Sequence, residues 1–179
     1  YILNIKSDTA IKTENIFNEV TDKLNNGEAP IVDSIGGEWR VIGLSRASQI
    51  SDTFKEGYFK NAYEYVKAIG SSKLHKAKST DNSRMILALT SLGYDVTDIA
   101  GYNLLEPLGD FDYVVKQGVN GAIWALIALD SNDYKVPSLS DDEMVALKDK
   151  LINFILDNQM SNGGFTLNGE EDDVDITAM

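Results

Sequence analysis

Gln159-Met-Ser-Asn-Gly-Gly-Phe165 is followed closely by Asp173-Val-Asp-Ile-Thr-Ala-Met179, and this pair of motifs decides the fold. The first reads Q-x-x-x-G-x-F. Gln159 and Gly163 are suited to closing a turn by side-chain and backbone hydrogen bonding, and Phe165 to wedging between neighbouring helices. The second reads D-x-D-I-T-A, in which Asp173 or Asp175 is a good N-cap for an apolar helix. That helix stops at Met179 after about one turn, where isolated helix is unstable. The chain also opens at Tyr1 without an initiator Met or a signal-like apolar stretch. Both ends lead to the expectation that this is part of a longer chain, cut at its C-terminus.

Outward from the motifs the chain reads as helix throughout. Thr13 to Asn25 is polar with Ile16, Phe17, Val20 and Leu24 on one side, and Asn26-Gly27 closes it. Glu38 to Ala47 follows a loop holding Pro30 and Gly36-Gly37. Ser51-Asp52 caps a helix in which Tyr58, Ala62, Tyr65, Val66 and Ile69 recur at the spacing of one buried face. Asn82 to Leu92 ends at Gly93, Asn120 to Asp130 comes next, and Ser140-Asp-Asp-Glu143 starts a long helix with a capping box. Only Tyr1 to Ile5 alternates as a strand would, and residues 1–10 read as a linker or domain edge before a domain at 11–179.

Two helix types alternate. Helices 13–25, 53–70 and 140–159 are amphipathic, as an outer layer facing water should be. Met85 to Leu89 and Ala122 to Leu129 are apolar nearly all round, which predicts burial on every side and an inner layer, with Trp124 between outer helices. The inner segments begin at Glu38, Asn82, Asn120 and Asp175, roughly 40 to 55 residues apart, a period that suits a helix-pair repeat. Asp33-x-x-x-Gly37-x-Trp39 echoes the Gln159 motif as a second, degenerate copy.

These motifs resemble the terpenoid cyclase and protein prenyltransferase α/α-toroid superfamily. Q-x-x-x-G-x-F is close to the Q-x-x-x-G-x-W repeat of triterpene cyclases, and D-x-D-I-T-A stands where squalene-hopene cyclases carry D-x-D-D-T-A. Trp39 to Arg46, Ser83 to Gly93, Gly101 to Leu108 and Gly118 to Leu126 are most similar to prenyltransferase-like domains of bacterial surface proteins; cobalamin carriers are more distant relatives. The resemblance implies an all-α fold, an incomplete α/α toroid of antiparallel inner and outer helix pairs. It implies a non-catalytic domain of a secreted or cell-surface bacterial protein, joined to further domains of the same chain, serving small-molecule binding or structural presentation. One alternative is a cyclase-like enzyme with Asp175 as general acid beside Asp173; Ile176 replaces the motif's last carboxylate, which removes part of the tuning such an acid needs. Another is a corrinoid-binding domain.

Helix starts that converge on a cavity lined by aromatics make a small-molecule site, and Trp39, Arg84, Trp124 and Asp175 are its candidates, for an isoprenoid or a corrinoid. Gln159, Gly163, Phe165 and Thr177 are structural motif residues. Arg84 opens an apolar helix, where it needs a carboxylate partner or a ligand. With no Cys and one His, His75, read as a solvated loop residue, no prenyltransferase-type zinc site can be assembled, and no resident cofactor is expected. Glu170 to Asp173 and Asp141 to Glu143 lack calcium-loop spacing and read as solvated acidic turns.

Composition bounds the partners. The 179 residues suit one domain, and 28 acidic against 16 basic side chains give a net charge of −12. That surface repels nucleic-acid backbones and anionic membranes. Without cysteine there is no disulfide and no cysteine nucleophile. No apolar run approaches the roughly 18 residues of a membrane span.

Overall fold

The computed structural model describes residues 8–26, 28–32, 36–166 and 171–179. The chain is all-α over this range: α1 Asp8–Asn25, α2 Gly37–Arg46, α3 Asp52–Ile69, α4 Ser79–Ser91, α5 Phe111–Val114, α6 Gly118–Asp130, α7 Asp141–Asp157 and α8 Val174–Ala178, with short 3-10 helices at Glu106–Gly109 and Val115–Gln117. No strand occurs among the described residues; Ile99 and Tyr102 form an isolated bridge. The candidate strand Tyr1 to Ile5 lies outside them. The expected edge at 1–10 is already helical from Asp8.

Local chemistry sets most helix ends. Ser51 Oγ accepts from the Phe54 N–H, and α3 stops at Gly70, whose φ of 67° a side chain would resist. Ser140 and Glu143 cap each other reciprocally at the start of α7. α4 is the exception. It starts at Ser79 rather than at Asn82, because the Thr80 N–H finds its acceptor far along the chain, at Gln117 Oε1, 3.0 Å away. A tertiary cap of this kind leaves no local signature.

α2 packs on α4, and α4 on α6; α1 lies against α2, and α7 against α6. Met85, Ile86, Ala88 and Leu89 of α4 are buried beside Ala122, Ala125 and Leu129 of α6. The alanines let the two backbones come close, and each fully buried aliphatic side chain contributes about 1.5–3 kcal/mol. Tyr58, Ala62 and Val66 of α3, as their spacing predicts, close the same core with Phe54 and with Met144, Leu147 and Leu151 of α7, whereas Ile69, expected on the buried face, is exposed at the end of α3.

α4 is buried or half-buried throughout, but α2 and α6 are not buried all round. Trp39 of α2 is 41% exposed and Ile127 of α6 39%, while Ile123 and Trp124 are half-buried. α2 and α6 thus each keep an open face. The expectation of burial on every side holds for Met85, Ile86, Ala88 and Leu89 of α4 and fails for α6, where an apolar composition was taken for burial. Likewise Ile16, Phe17, Val20 and Leu24 share one side of α1, but that side is exposed and Thr21 is its buried residue.

Candidate functional site

The two opening motifs form one hydrogen-bonded unit. Gln159 Nε2 donates to the Gly163 carbonyl at 2.9 Å, and the Met160 and Gly164 backbones bond across the turn. Gly163 takes φ 90°, a conformation costly for any residue with a Cβ. The chain emerges at Phe165, whose N–H donates to Thr177 Oγ1 at 2.9 Å while its carbonyl accepts from the Asp173 N–H at 2.8 Å. Thr177 therefore reads the backbone of the preceding motif. Asp173 Oδ1 accepts from the Asp175 and Ile176 N–H groups and is the N-cap of α8; Asp175 stands exposed in the first turn.

Of the four candidate ligand residues, the structure brings Trp39 and Trp124 together. Their ring centroids lie 4.8 Å apart with the planes at 51°, so side chains from α2 and α6 meet although each helix packs on α4 between them. Tilted contact of this kind suits the ring quadrupoles. Trp124 accordingly meets α2 and is half-buried, not enclosed as expected. Arg84 of α4 pairs with Asp81, Nη2 to Oδ1 at 2.8 Å. Asp175 makes no described side-chain contact with the tryptophans or Arg84. The echo of the turn motif at Asp33 falls outside the described residues.

Near Arg84 the structure gathers polar groups of which periodicity singles out only Tyr58. Glu38 of α2, Tyr58 of α3, and Asp81, Asn82 and Ser83 of α4 are all buried. Burial lifts the Tyr58 hydroxyl well above its ordinary pKa, the Glu38 charge adds to this, and Arg84 opposes it. That hydroxyl has no hydrogen-bond partner among the described residues. Asn82 is fully satisfied: it accepts from the Leu74 N–H and donates to the Ser72 and Leu104 carbonyls. An Asn at the head of an apolar helix was the one available signal.

His75 is half-buried and engaged with its own loop. Its Nδ1 accepts from the Ala77 and Lys78 N–H groups at 3.1 and 3.0 Å, and its carbonyl accepts from the Tyr113 hydroxyl at 2.7 Å. The side chain organises the 73–78 loop. Burial, then the charges of Asp81 and Asp110, push the Tyr113 hydroxyl up to about 12.

Glu143 is engaged with Ser140, and Asp141 with Lys135, as turn acids are; Glu170 lies outside the described residues. No cluster of three or more metal-ligating side chains occurs among the described residues, and no described helix is long and apolar enough to cross a membrane. A cleft of about 510 Å³ between the end of α1 and the start of α3, lined by Asn25, Glu28, Phe54, Lys60 and Asn61, includes none of the candidate ligand residues. No family model matches the chain, and no curated protein or solved structure is significantly similar to it.

Proposed function

We propose that the chain is an arc of an α/α toroid serving as a non-catalytic, small-molecule-binding or structural domain of a secreted or cell-surface bacterial protein. The observation that carries this reading is the partly exposed Trp39–Trp124 pair formed by α2 and α6. Two large rings left partly wet beside apolar Ile127 offer an isoprenoid or a corrinoid a stacking surface. The acid motif supports a non-catalytic role. Asp173 is committed to capping α8, and Asp175 faces water, whereas alkene protonation calls for an acid held in a cavity from which water is excluded.

Trp39 and Trp124 are the only tryptophans in the chain, so its indole fluorescence reports this face alone. Titration with farnesol and with cobalamin should give a saturable change for one of them, lost in Trp39→Ala. A saturable change unaffected by that substitution would move the site elsewhere. No change with either ligand leaves the structural role. Incubation with squalene or geranylgeranyl diphosphate tests the enzyme alternative: cyclised product that disappears in Asp175→Asn would overturn the proposal.

A further inference from the structure

The C-terminal ends of α4 and α6 repeat one turn. Beyond α4, Gly93 has φ 77° and the Tyr94 N–H donates to the Leu89 carbonyl at 3.0 Å; beyond α6, Asp133 has φ 51° and the Tyr134 N–H donates to the Leu129 carbonyl at 2.8 Å. Each helix therefore stops at a left-handed residue followed by a tyrosine. The Tyr134 hydroxyl lies 2.8 Å from Thr90 Oγ1, and Thr90, Tyr94, Asp95, Asn132 and Tyr134 line one groove of about 310 Å³, so the two helices end side by side. The groove shares no lining residue with the tryptophan pair. α2 ends in the same turn, with Ser48 at φ 55° and the Gln49 N–H on the Leu44 carbonyl, but Gln49 stands in the tyrosine's place.

The charges around the groove are one-sided. α1, α2 and α3 carry Lys23, Arg46 and Lys67 in their last turns, whereas α4 and α6 have no basic residue there, so two negative dipole ends meet at the groove. The Thr97 N–H and hydroxyl donate to Asp95 Oδ1 at 2.8 and 2.7 Å, which holds that carboxyl below its usual range; Oδ2 makes no hydrogen bond among the described residues. Asp130 at the end of α6 is matched by Lys148, while Asp133 makes no ion pair among the described residues. Phe59 stacks on Tyr94 with centroids 4.1 Å apart, and Lys55 Nζ stands 5.2 Å from the Tyr94 centroid, so this ring already draws a cation from its own chain. Burial, then the charges of Glu56 and Asp52, lift the Tyr94 hydroxyl above its ordinary pKa, a second sign of negative surroundings.

We propose that the groove binds a small organic ammonium ion, its head between Tyr94 and Tyr134 and its charge matched by Asp95. Aromatic rings beside a carboxylate suit a weakly hydrated cation carrying methyl groups. A hard metal ion would need more oxygens than one carboxylate supplies. Lys55 is the internal competitor, on a flexible stem that can leave the ring when the ligand arrives.

Choline is the probe, and the control is the neutral alcohol in which a tert-butyl group replaces its trimethylammonium. Both are titrated into the chain and followed by amide nuclear magnetic resonance, whose spectra also report that each variant folds. Choline should give saturable shifts confined to Gly93, Tyr94, Asp95 and Asn132 to Tyr134, and the neutral alcohol none. Tyr94→Leu should weaken choline binding by about fivefold, and Asp95→Asn by about threefold, less at high salt. Lys55→Met should tighten it by about twofold, since a competing charge is removed. No saturable shift with choline, equal shifts with the neutral alcohol, shifts centred elsewhere, or weaker binding in Lys55→Met would each overturn the proposal.

Discussion

Gly121→Ala sets two effects against each other within one helix. By intrinsic propensity, alanine inside α6 should stabilise by about 1 kcal/mol. The structure reverses the sign: a Cβ on Gly121 would stand 2.0 Å from the Val114 carbonyl oxygen, 3.2 Å from its carbon and 3.1 Å from Ser79 Oγ. A backbone oxygen cannot rotate away. Relief requires moving the Phe111–Gln117 segment by about 1 Å off α6. That segment is held by Ser79 Oγ donating to Val114 O at 3.2 Å and by the Thr80 N–H donating to Gln117 Oε1 at 3.0 Å. Losing both bonds at about 1 kcal/mol each, with about 1–3 kcal/mol of overpacking and the propensity gain returned, leaves a net loss of about 2–4 kcal/mol. Urea unfolding followed by far-ultraviolet circular dichroism measures this directly, and the melting temperature should fall by about 4–16 °C. Gly43→Ala in α2 is the control, since its Cβ would meet nothing within 4 Å; it should stabilise by about 0.5–1 kcal/mol. If Gly121→Ala proves as stable as the parent, the close approach of α6 to Val114 is wrong.

Three further outcomes follow. Asn82→Ala strips the partners from the Leu74 N–H and the Ser72 and Leu104 carbonyls, and should cost about 3 kcal/mol or more in urea unfolding; a loss below 1 kcal/mol would mean that water replaces the side chain. The Tyr113 hydroxyl is raised from its ordinary value of 10 to about 12, so the fold favours its protonated form; the stability this contributes is complete below pH 10 and is lost as pH rises through 12. Absorbance titration of the phenolates should show Tyr58 and Tyr113 ionising above the ordinary range, Tyr113 at about 12, whereas all eight tyrosines titrating together near pH 10 in the folded chain would refute it. Thr177→Val removes the acceptor for the Phe165 N–H, and amide exchange at Phe165 should accelerate with the core amides of α4 and α6 unchanged.

The sequence by itself determined the helices and the turn within the Gln159–Phe165 motif, because both depend on partners a few residues away. The capping box of α7 joins Ser140 to Glu143, and Gln159 bonds Gly163 four residues on. Spacing likewise showed which sides of α3 and α7 are buried, since a helix repeats its faces at a fixed period. Tertiary structure alone decided the start of α4, the meeting of Trp39 with Trp124, and the burial of Glu38 and of Asp81 beside Arg84. It also decided that α1 and α6 keep apolar faces in water. Periodicity records which side of a helix is apolar but not whether another helix arrives to cover it; that depends on long-range packing, which no single segment encodes.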